Sequence, residues 1–114
     1  MKSRVTEYEQ YSAFSGRPAE VIHHLCFGRG IRKLADEDGL TIGLLNKEHN
    51  MSPNGTINQI HDNPAAEKLS KIAGQLAWER VWLAQKIGTT EEEVDELLRQ
   101  SREAFRRRYH ESFL

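Results

Sequence analysis

Two short apolar runs in the first half of the chain predict strands, because both are rich in residues that favour extended structure. The first run, AEVIHHLCF, covers residues 19–27 and stops at the glycine-containing loop at 28–30. The second run, LTIGLL, covers residues 40–45. We expect the two runs to pair as a β-hairpin. Its long connection contains a predicted helical turn with one apolar side, formed by Ile31, Leu34 and Ala35.

The second half of the chain changes to the helical period from Asn63 onward. Asn63 is a favourable N-cap, and Pro64 stands at the first helical position, where its missing N–H costs nothing. The apolar positions expected to face the core are Leu69, Ile72, Ala73, Leu76, Leu83 and Ile87, widened by Trp78, Val81 and Trp82, with Gly88 as the helix stop. We therefore expect this helix to form the centre of the hydrophobic core.

A further helix is predicted to begin at Thr90, which forms a capping box with Glu93. The glutamates at its start and the arginines at 106–108 complement the helix dipole. Its expected inward stripe is Val94, Leu97, Leu98, Ser101 and Phe105. Because residues 88–89 alone join the two helices, the segment 63–110 is predicted to fold as a helical hairpin.

The start of the chain and the middle of the chain contain turn-forming segments. Residues 15–18, SGRP, and residues 50–58, NMSPNGTIN, favour turns and loops over regular structure. Tyr8, Tyr11 and Phe14 precede the first of these turns. We expect residues 1–18 to form a short helix or an irregular arm that packs these aromatic side chains on the core.

Composition narrows the class of protein. With 114 residues, 38% of them apolar and 29% charged, the chain fits one globular domain, residues 1–114. It has no apolar run near the ~20 residues of a membrane helix, and its start lacks the apolar segment of a signal peptide, so we expect a cytoplasmic protein with no membrane partner.

Cys26 is the only cysteine, which excludes disulfides, and its apolar context favours a buried filler over a nucleophile. A formal charge of −1 means that any phosphate contact must come from local basic patches.

Four of the five histidines fall between residues 21 and 61, a density that suggests a polar site: His23, His24, His49 and His61. A neutral imidazole can bind a divalent metal or act as a general base, and hydrolysis of a phosphodiester needs both roles. The alternative is that each is a surface or satisfied core residue. Neighbours on a regular strand point to opposite faces, so the histidine pair can serve one site only if the strand is bulged or ends there.

A basic cluster follows the histidine pair and consists of Arg29, Arg32 and Lys33. These residues would contact a phosphate if His24 acts on one. The alternative is a solvated loop, and the two interpretations have equal support in the sequence.

The segment GRPAEVIHHLCFGRGIRKLADEDGLTIGLLNKEHN, with IH at 60–61, resembles phage-encoded nucleases of the HNH (His-Me finger) superfamily. It is most similar to the small phage proteins related to the recombination-enhancement, RecA-dependent nucleases. The resemblance covers about residues 12–66. It implies an α+β fold in which a ββα-metal hairpin-plus-helix core at 12–66 is backed by two C-terminal α-helices.

The resemblance also implies a metal-dependent DNA endonuclease, acting in the host cytoplasm if the chain is phage-encoded. His24 would be the general base, and one divalent ion (Mg, Mn, Ni or Zn) would be held by His23, His49 and His61. The basic cluster would contact the DNA backbone, which positions a nuclease without conferring sequence choice. Asn50 is a candidate supporting residue.

The chain departs from the family pattern in three respects. Where relatives carry two Cys-x-x-Cys pairs for a structural zinc, this chain has Ser12, Ser15, Leu45 and Glu48. No structural zinc is therefore expected, and packing by Phe14, Leu44 and the long helix must replace it. The central asparagine of the motif has no clear counterpart, and the candidate substitutes are Asp38, Asn46 and Asn50. The gap before His61 is longer than usual, so His61 reaches the site only if the loop at 51–58 folds back.

These departures favour an alternative function for the same scaffold. It would be a catalytically inactive HNH-like phage protein that binds and inhibits a host protein such as a defence nuclease. A third interpretation is a structural or dimerisation protein in which Trp78 and Trp82 lie partly exposed at an interface.

Overall fold

The fold is known from a computed structural model that describes residues 2–86 and 90–114, without the side chains of residues 91, 94 and 95. The elements in chain order are β1 (Val21–His24), α1 (Ile31–Glu37), β2 (Thr41–Leu44), α2 (Asn46–His49), a 3-10 turn (Thr56–Asn58), α3 (Pro64–Ala84) and α4 (Glu91–Tyr109). The protein is therefore a small α+β protein. None of the described helices has the length and hydrophobicity needed to span a membrane.

The two strands form the predicted antiparallel hairpin. His23 lies opposite Ile42, and His24 lies opposite Thr41, in a regular register without a bulge. The connection contains α1, which starts after Gly30, a residue with φ of 80° that side chains disfavour. The predicted apolar side of α1 is confirmed, since Ala35 is buried and its two apolar neighbours pack against the core.

Both predicted C-terminal helices are present, and α3 and α4 pack against each other. Asn63 caps α3 by accepting a hydrogen bond from the Ala66 N–H at 3.4 Å. Thr90 and Glu93 form the predicted capping box of α4. The predictions for Ile87, Gly88, Thr89 and the Val94 side chain lie outside the described residues.

The prediction for the inward face of α3 was wrong in part. Leu69 and Leu76 are 66% and 53% exposed, and Ala73 is exposed as well. The buried residues of the helix are instead Ser70, Gly74, Gln75 and Glu79. Gly74 explains part of this orientation. A Cβ at this position would lie 2.6 Å from the Cys26 Sγ, so the helix can approach the end of β1 only through a residue without a side chain.

A buried polar network explains the rest of this orientation. The Gln75 side-chain amide donates to Glu79 Oε2 at 2.7 Å and to the Ser112 hydroxyl at 3.0 Å. The Ser101 hydroxyl of α4 donates to Glu79 Oε1 at 2.7 Å. Polar groups can be buried without a large penalty when they satisfy each other, so hydrogen bonding and not apolar periodicity sets this contact.

The hydrophobic core lies between the hairpin and the two long helices. On α4, Ser101 and Phe105 face inward as predicted, whereas Leu98 is 46% exposed, contrary to prediction. The Phe105 ring stacks on Tyr109 with centroids 4.4 Å apart, and the Trp78 ring meets Phe105 edge-on at 5.6 Å. The prediction that α3 forms the centre of the core was wrong, because among the described residues α3 contributes only Ala77 and Trp78, which pack against the buried cluster. The buried residues of the cluster are Leu25, Cys26, Ala35, Leu40, Ile42, Leu44, Ile60, Phe105 and Tyr109.

Asp38 joins α4 to the turn between α1 and β2. Its carboxylate accepts two hydrogen bonds from Arg108, at 2.6 and 2.8 Å, and one from the Tyr109 hydroxyl at 2.8 Å. The Trp78 indole N–H donates to the same carboxylate at 3.0 Å. Asp38, a candidate substitute for the asparagine of the motif, therefore has a structural role.

The N-terminal arm is held by its backbone and not by its aromatic side chains. Tyr8, Tyr11 and Phe14 are 62%, 45% and 61% exposed, so the prediction that they pack on the core was wrong. Instead, the Ala13 N–H donates to the carbonyl of Gly43 at 2.8 Å. A Cβ at Gly43 would lie 2.8 Å from the Ala19 Cβ, so glycine is required for this close approach.

Ser12 and Glu48, two of the residues that stand where the sequence resemblance would place zinc-binding cysteines, contact each other. The Ser12 hydroxyl donates to Glu48 Oε1 at 2.6 Å, and the Leu45 N–H donates to the same oxygen at 2.8 Å. Leu44 is fully buried, as the proposed replacement for the zinc requires, but Phe14 is exposed and does not contribute in the predicted way. A buried hydrogen-bonded pair joins the arm to α2 here.

Candidate metal centre

Three of the predicted histidines converge on one point. His23 projects from β1, His49 is the last residue of α2, and His61 lies in the segment before α3. The ring centroids are 5.1 Å apart for His23 and His49, 5.2 Å for His23 and His61, and 4.5 Å for His49 and His61. One nitrogen from each ring can be chosen so that all three lie within 4.8 Å of one another.

The loop between His49 and His61 folds back, as convergence requires. The His61 N–H donates to the carbonyl of His49 at 2.9 Å, and the Ile60 N–H donates to the carbonyl of Glu48 at 2.9 Å. The side chain of Gln59 closes the loop further by accepting from the Ser52 N–H and donating to the His61 carbonyl. Main-chain bonds therefore place the two imidazoles side by side.

The hydrogen bond between His23 and Ser70 determines the tautomer of His23. The Ser70 hydroxyl donates its single proton to the Leu25 carbonyl at 2.8 Å, because a carbonyl can only accept. The contact of 2.8 Å between His23 Nε2 and the same hydroxyl must then be an N–H donated by the ring. Nδ1 is left with a lone pair, and it is buried without a hydrogen-bond partner among the described residues.

A similar argument applies to His61. Its Nδ1 lies 3.4 Å from Glu67 Oε2, and a carboxylate can only accept, so the proton is on Nδ1. The Nε2 of His61 then has the lone pair. A carboxylate behind the far nitrogen of a metal-binding histidine is a common arrangement, because it orients the ring and increases its basicity.

The electrostatic environment favours the neutral form of His23 and His49. Burial, with smaller contributions from the neighbouring His49, His61 and His24, lowers the pKa of His23 to about 3. Burial also lowers the pKa of His49, with smaller contributions from His61, Arg32 and His24. Neutral imidazoles retain the lone pairs that divalent first-row metals prefer, so the donor set fits a metal such as Zn²⁺, Mn²⁺ or Ni²⁺.

His24 points to the opposite face of β1 from His23, as expected for a regular strand. Its Nε2 lies 3.0 Å from Asp36 Oδ1, and the hydrogen bond from His24 lowers the pKa of Asp36. His24 is the last residue of the strand, and its charge lowers the pKa of both His23 and His49. The ring is therefore close to the centre without belonging to the set of three.

An open cleft of about 490 Å³ lies beside His24 and contains part of the predicted basic cluster. Arg32 and Lys33 line this cleft, together with Gly30 and Asp36. Arg29 is exposed and does not line it. Asn50 is exposed at the end of α2, one residue after His49.

Sequence reasoning missed three residues that orient the histidines, namely Asp36, Glu67 and Ser70. Glu67 is six residues from His61 and could have been considered as a local partner. Ser70 is 47 residues from His23, and only the packing of α3 on the hairpin brings them together. No local pattern could have identified it.

Cys26 belongs to the hydrophobic core and not to the group of three histidines. Its thiol is fully buried, and burial raises its pKa to about 12. The thiol is therefore protonated at neutral pH and unsuited to act as a nucleophile or a metal ligand.

No model of a known protein family, no curated protein and no solved structure matches this chain.

Proposed function

We propose that this chain is an HNH-like, metal-dependent DNA endonuclease of phage type, with one divalent ion held by His23, His49 and His61. The observation that supports it best is the buried Nδ1 of His23, which has no hydrogen-bond partner among the described residues, in a ring that forms a cluster with His49 and His61. An unsatisfied buried acceptor is costly, and a bound cation would satisfy it. The hairpin with histidines at its end and in the following helix agrees with the ββα-metal arrangement.

His24 is the general base in this proposal. The Asp36 carboxylate accepts a hydrogen bond from Nε2–H of His24, which leaves the lone pair of Nδ1 free to take a proton from water. The same carboxylate stabilises the imidazolium that forms. When bound, the divalent ion supplies charge stabilisation to the phosphate and to the leaving oxygen.

The residues of the cleft position the substrate. Arg32 and Lys33 line the cleft next to His24, where they can bind a backbone phosphate. Arg29 lies in the loop after β1 and is exposed to solvent, where it would contact a phosphate farther along the DNA. Asn50, the exposed residue after His49, would support the ion or the substrate.

Plasmid nicking with Mg²⁺ or Mn²⁺ tests the proposal. We expect the wild type to nick, His24→Ala to lose about 10²- to 10⁴-fold in rate, and His110→Ala, altered at an exposed position, to match the wild type. Calorimetric titration with Mn²⁺ should show binding that His24→Ala retains and His49→Ala loses. A wild type that nicks no faster than His24→Ala at any metal concentration contradicts the enzymatic role.

A second candidate function is inhibition of another protein without catalysis, and exposed apolar side chains favour it. Phe14, Ile57 and Leu69 are 61%, 81% and 66% exposed and line one open groove of about 520 Å³. Exposed apolar surface of this kind is typical of protein contacts. Metal binding without any nicking by the wild type would support this candidate over the first.

A further inference from the structure

Lys71 of α3 is held by aromatic rings and not by a carboxylate. Its ammonium lies 4.8 Å from the centroid of the Phe27 ring and 5.7 Å from that of Phe113. Among the residues that the structure describes, no acidic side chain forms an ion pair with it. Aromatic rings orient a cation but do not neutralise it, so Lys71 keeps a charge available to an anion.

The ring beneath Lys71 is part of the wall of the metal centre. Phe27 meets His61 edge-on with centroids 4.8 Å apart, and it contacts His23 at 5.7 Å. The Phe27 centroid is 4.8 Å from both the Lys71 ammonium and the His61 centroid, so the ammonium is at most twice that distance from the His61 ring. Lys71 also follows Ser70, which orients His23, directly along the helix.

Charges near Lys71 leave its position favourable for an anion. Glu67 lies one helical turn before it, but the Glu67 carboxylate is turned to the His61 ring and to the Asp62 N–H, both at 3.4 Å. Arg32 belongs to the cleft beside His24, and its charge acts on His49. Arg32 and Lys71 thus belong to different helices, α1 and α3.

We propose that Lys71, presented by Phe27 and Phe113, binds a DNA backbone phosphate next to the one at the metal centre. This inference rests on the proposed function, and it adds a contact on the α3 side that the basic cluster at 29–33 does not provide. Phosphates of one strand follow each other every ~3.4 Å along the duplex axis, so a cation this near the centre is within reach of the adjacent ones. The contact would strengthen binding without reading sequence.

The test is binding of a fluorescein-labelled duplex oligonucleotide, measured by anisotropy in EDTA at several salt concentrations. Lys71→Gln should weaken binding about fivefold at low salt and reduce the slope of log K against log salt by about 0.9, the effect of one lost phosphate contact. Lys71→Arg keeps the charge and should retain the slope. Lys86→Gln is the matched control, because Lys86 also lies over an aromatic ring, Trp82 at 5.2 Å, but it follows the far end of α3.

Calorimetric Mn²⁺ titration of each variant separates this inference from the proposed metal centre. Unchanged Mn²⁺ affinity in Lys71→Gln, together with the reduced slope, supports the phosphate contact. Equal salt slopes for the wild type and Lys71→Gln overturn the phosphate contact. It is also overturned if Lys86→Gln loses as much slope as Lys71→Gln, or if the wild type does not bind the duplex. If no variant binds Mn²⁺ but Lys71→Gln still loses slope, the metal centre fails and the phosphate contact stands.

Discussion

Replacing Ser70 with alanine should weaken metal binding although Ser70 is not a ligand. The Ser70 hydroxyl donates to the Leu25 carbonyl and accepts from His23 Nε2–H, so it keeps the His23 proton away from the centre. Without the hydroxyl, the buried Nε2–H loses its partner, and the tautomer with the proton on Nδ1 becomes competitive. In that tautomer the lone pair is on Nε2, which faces residue 70, and Nδ1 has none to offer to the ion.

The expected loss follows from this orienting role. Removing a residue that orients a metal-binding histidine typically reduces affinity about 10- to 100-fold, which corresponds to about 1.4 to 2.7 kcal/mol. The assay is calorimetric titration with Mn²⁺ at neutral pH. Ser101→Ala is the matched control, because Ser101 is also a buried helix serine, but its hydroxyl donates to Glu79. We expect it to reduce stability and to leave Mn²⁺ affinity unchanged.

Nitrogen NMR measures independently which ring nitrogen of His23 carries the proton. In the metal-free wild type at neutral pH, the ring should be neutral and should carry its proton on Nε2. A ring protonated on Nδ1 would refute the reasoning, and so would a Ser70→Ala variant that binds Mn²⁺ within about twofold of the wild type, well short of the 10-fold minimum expected.

Two further predictions concern stability. Asp38→Ala should lower the free energy of unfolding, measured in urea, by about 3 kcal/mol. The substitution leaves the Tyr109 hydroxyl, the Trp78 indole and Arg108 without their shared acceptor. A loss of only about 0.5 kcal/mol, as for an exposed substitution, would contradict the structural role. In EDTA, stability should fall as the pH falls below 6.5, because the unfolded chain takes up a proton that folded His23, with its pKa lowered to about 3, does not. The loss of stability should reach about 2 kcal/mol at pH 5, and His49 should add to it. The control variant His110→Gln should show the same pH dependence as the wild type. A stability that does not change between pH 7 and 5 would show that His23 is not buried as described.

Local chemistry was enough to predict much of the fold. The strand composition on either side of the glycine-containing connection predicted the hairpin, and the capping residues Asn63 and Thr90 predicted the starts of both long helices. These features depend on residues within a few positions of each other. The proximity of His23 and His49 also followed, since both lie at the ends of elements that a hairpin brings together.

Contacts that depend on distant residues could not be predicted in this way. Leu69 and Leu76 match the helical period, but the buried side of α3 is set by Gln75 and Glu79, whose partners lie on α4 and near the C-terminus. Apolar periodicity carries no information about polar groups that satisfy each other across elements. The partner of His24 was missed for the same reason, because Asp36 was considered only as part of a helical turn.

The two main-chain bonds from residues 60 and 61 to residues 48 and 49 have a consequence for how this protein can vary. They seal the base of the intervening segment, so the spacing of His49 and His61 does not depend on what that segment contains. Lengthening a closed surface loop costs little entropy, about 0.6 kcal/mol for each doubling. Extra residues near Asn54 would therefore be tolerated, and this is where homologous chains can diverge or a reporter peptide can be inserted.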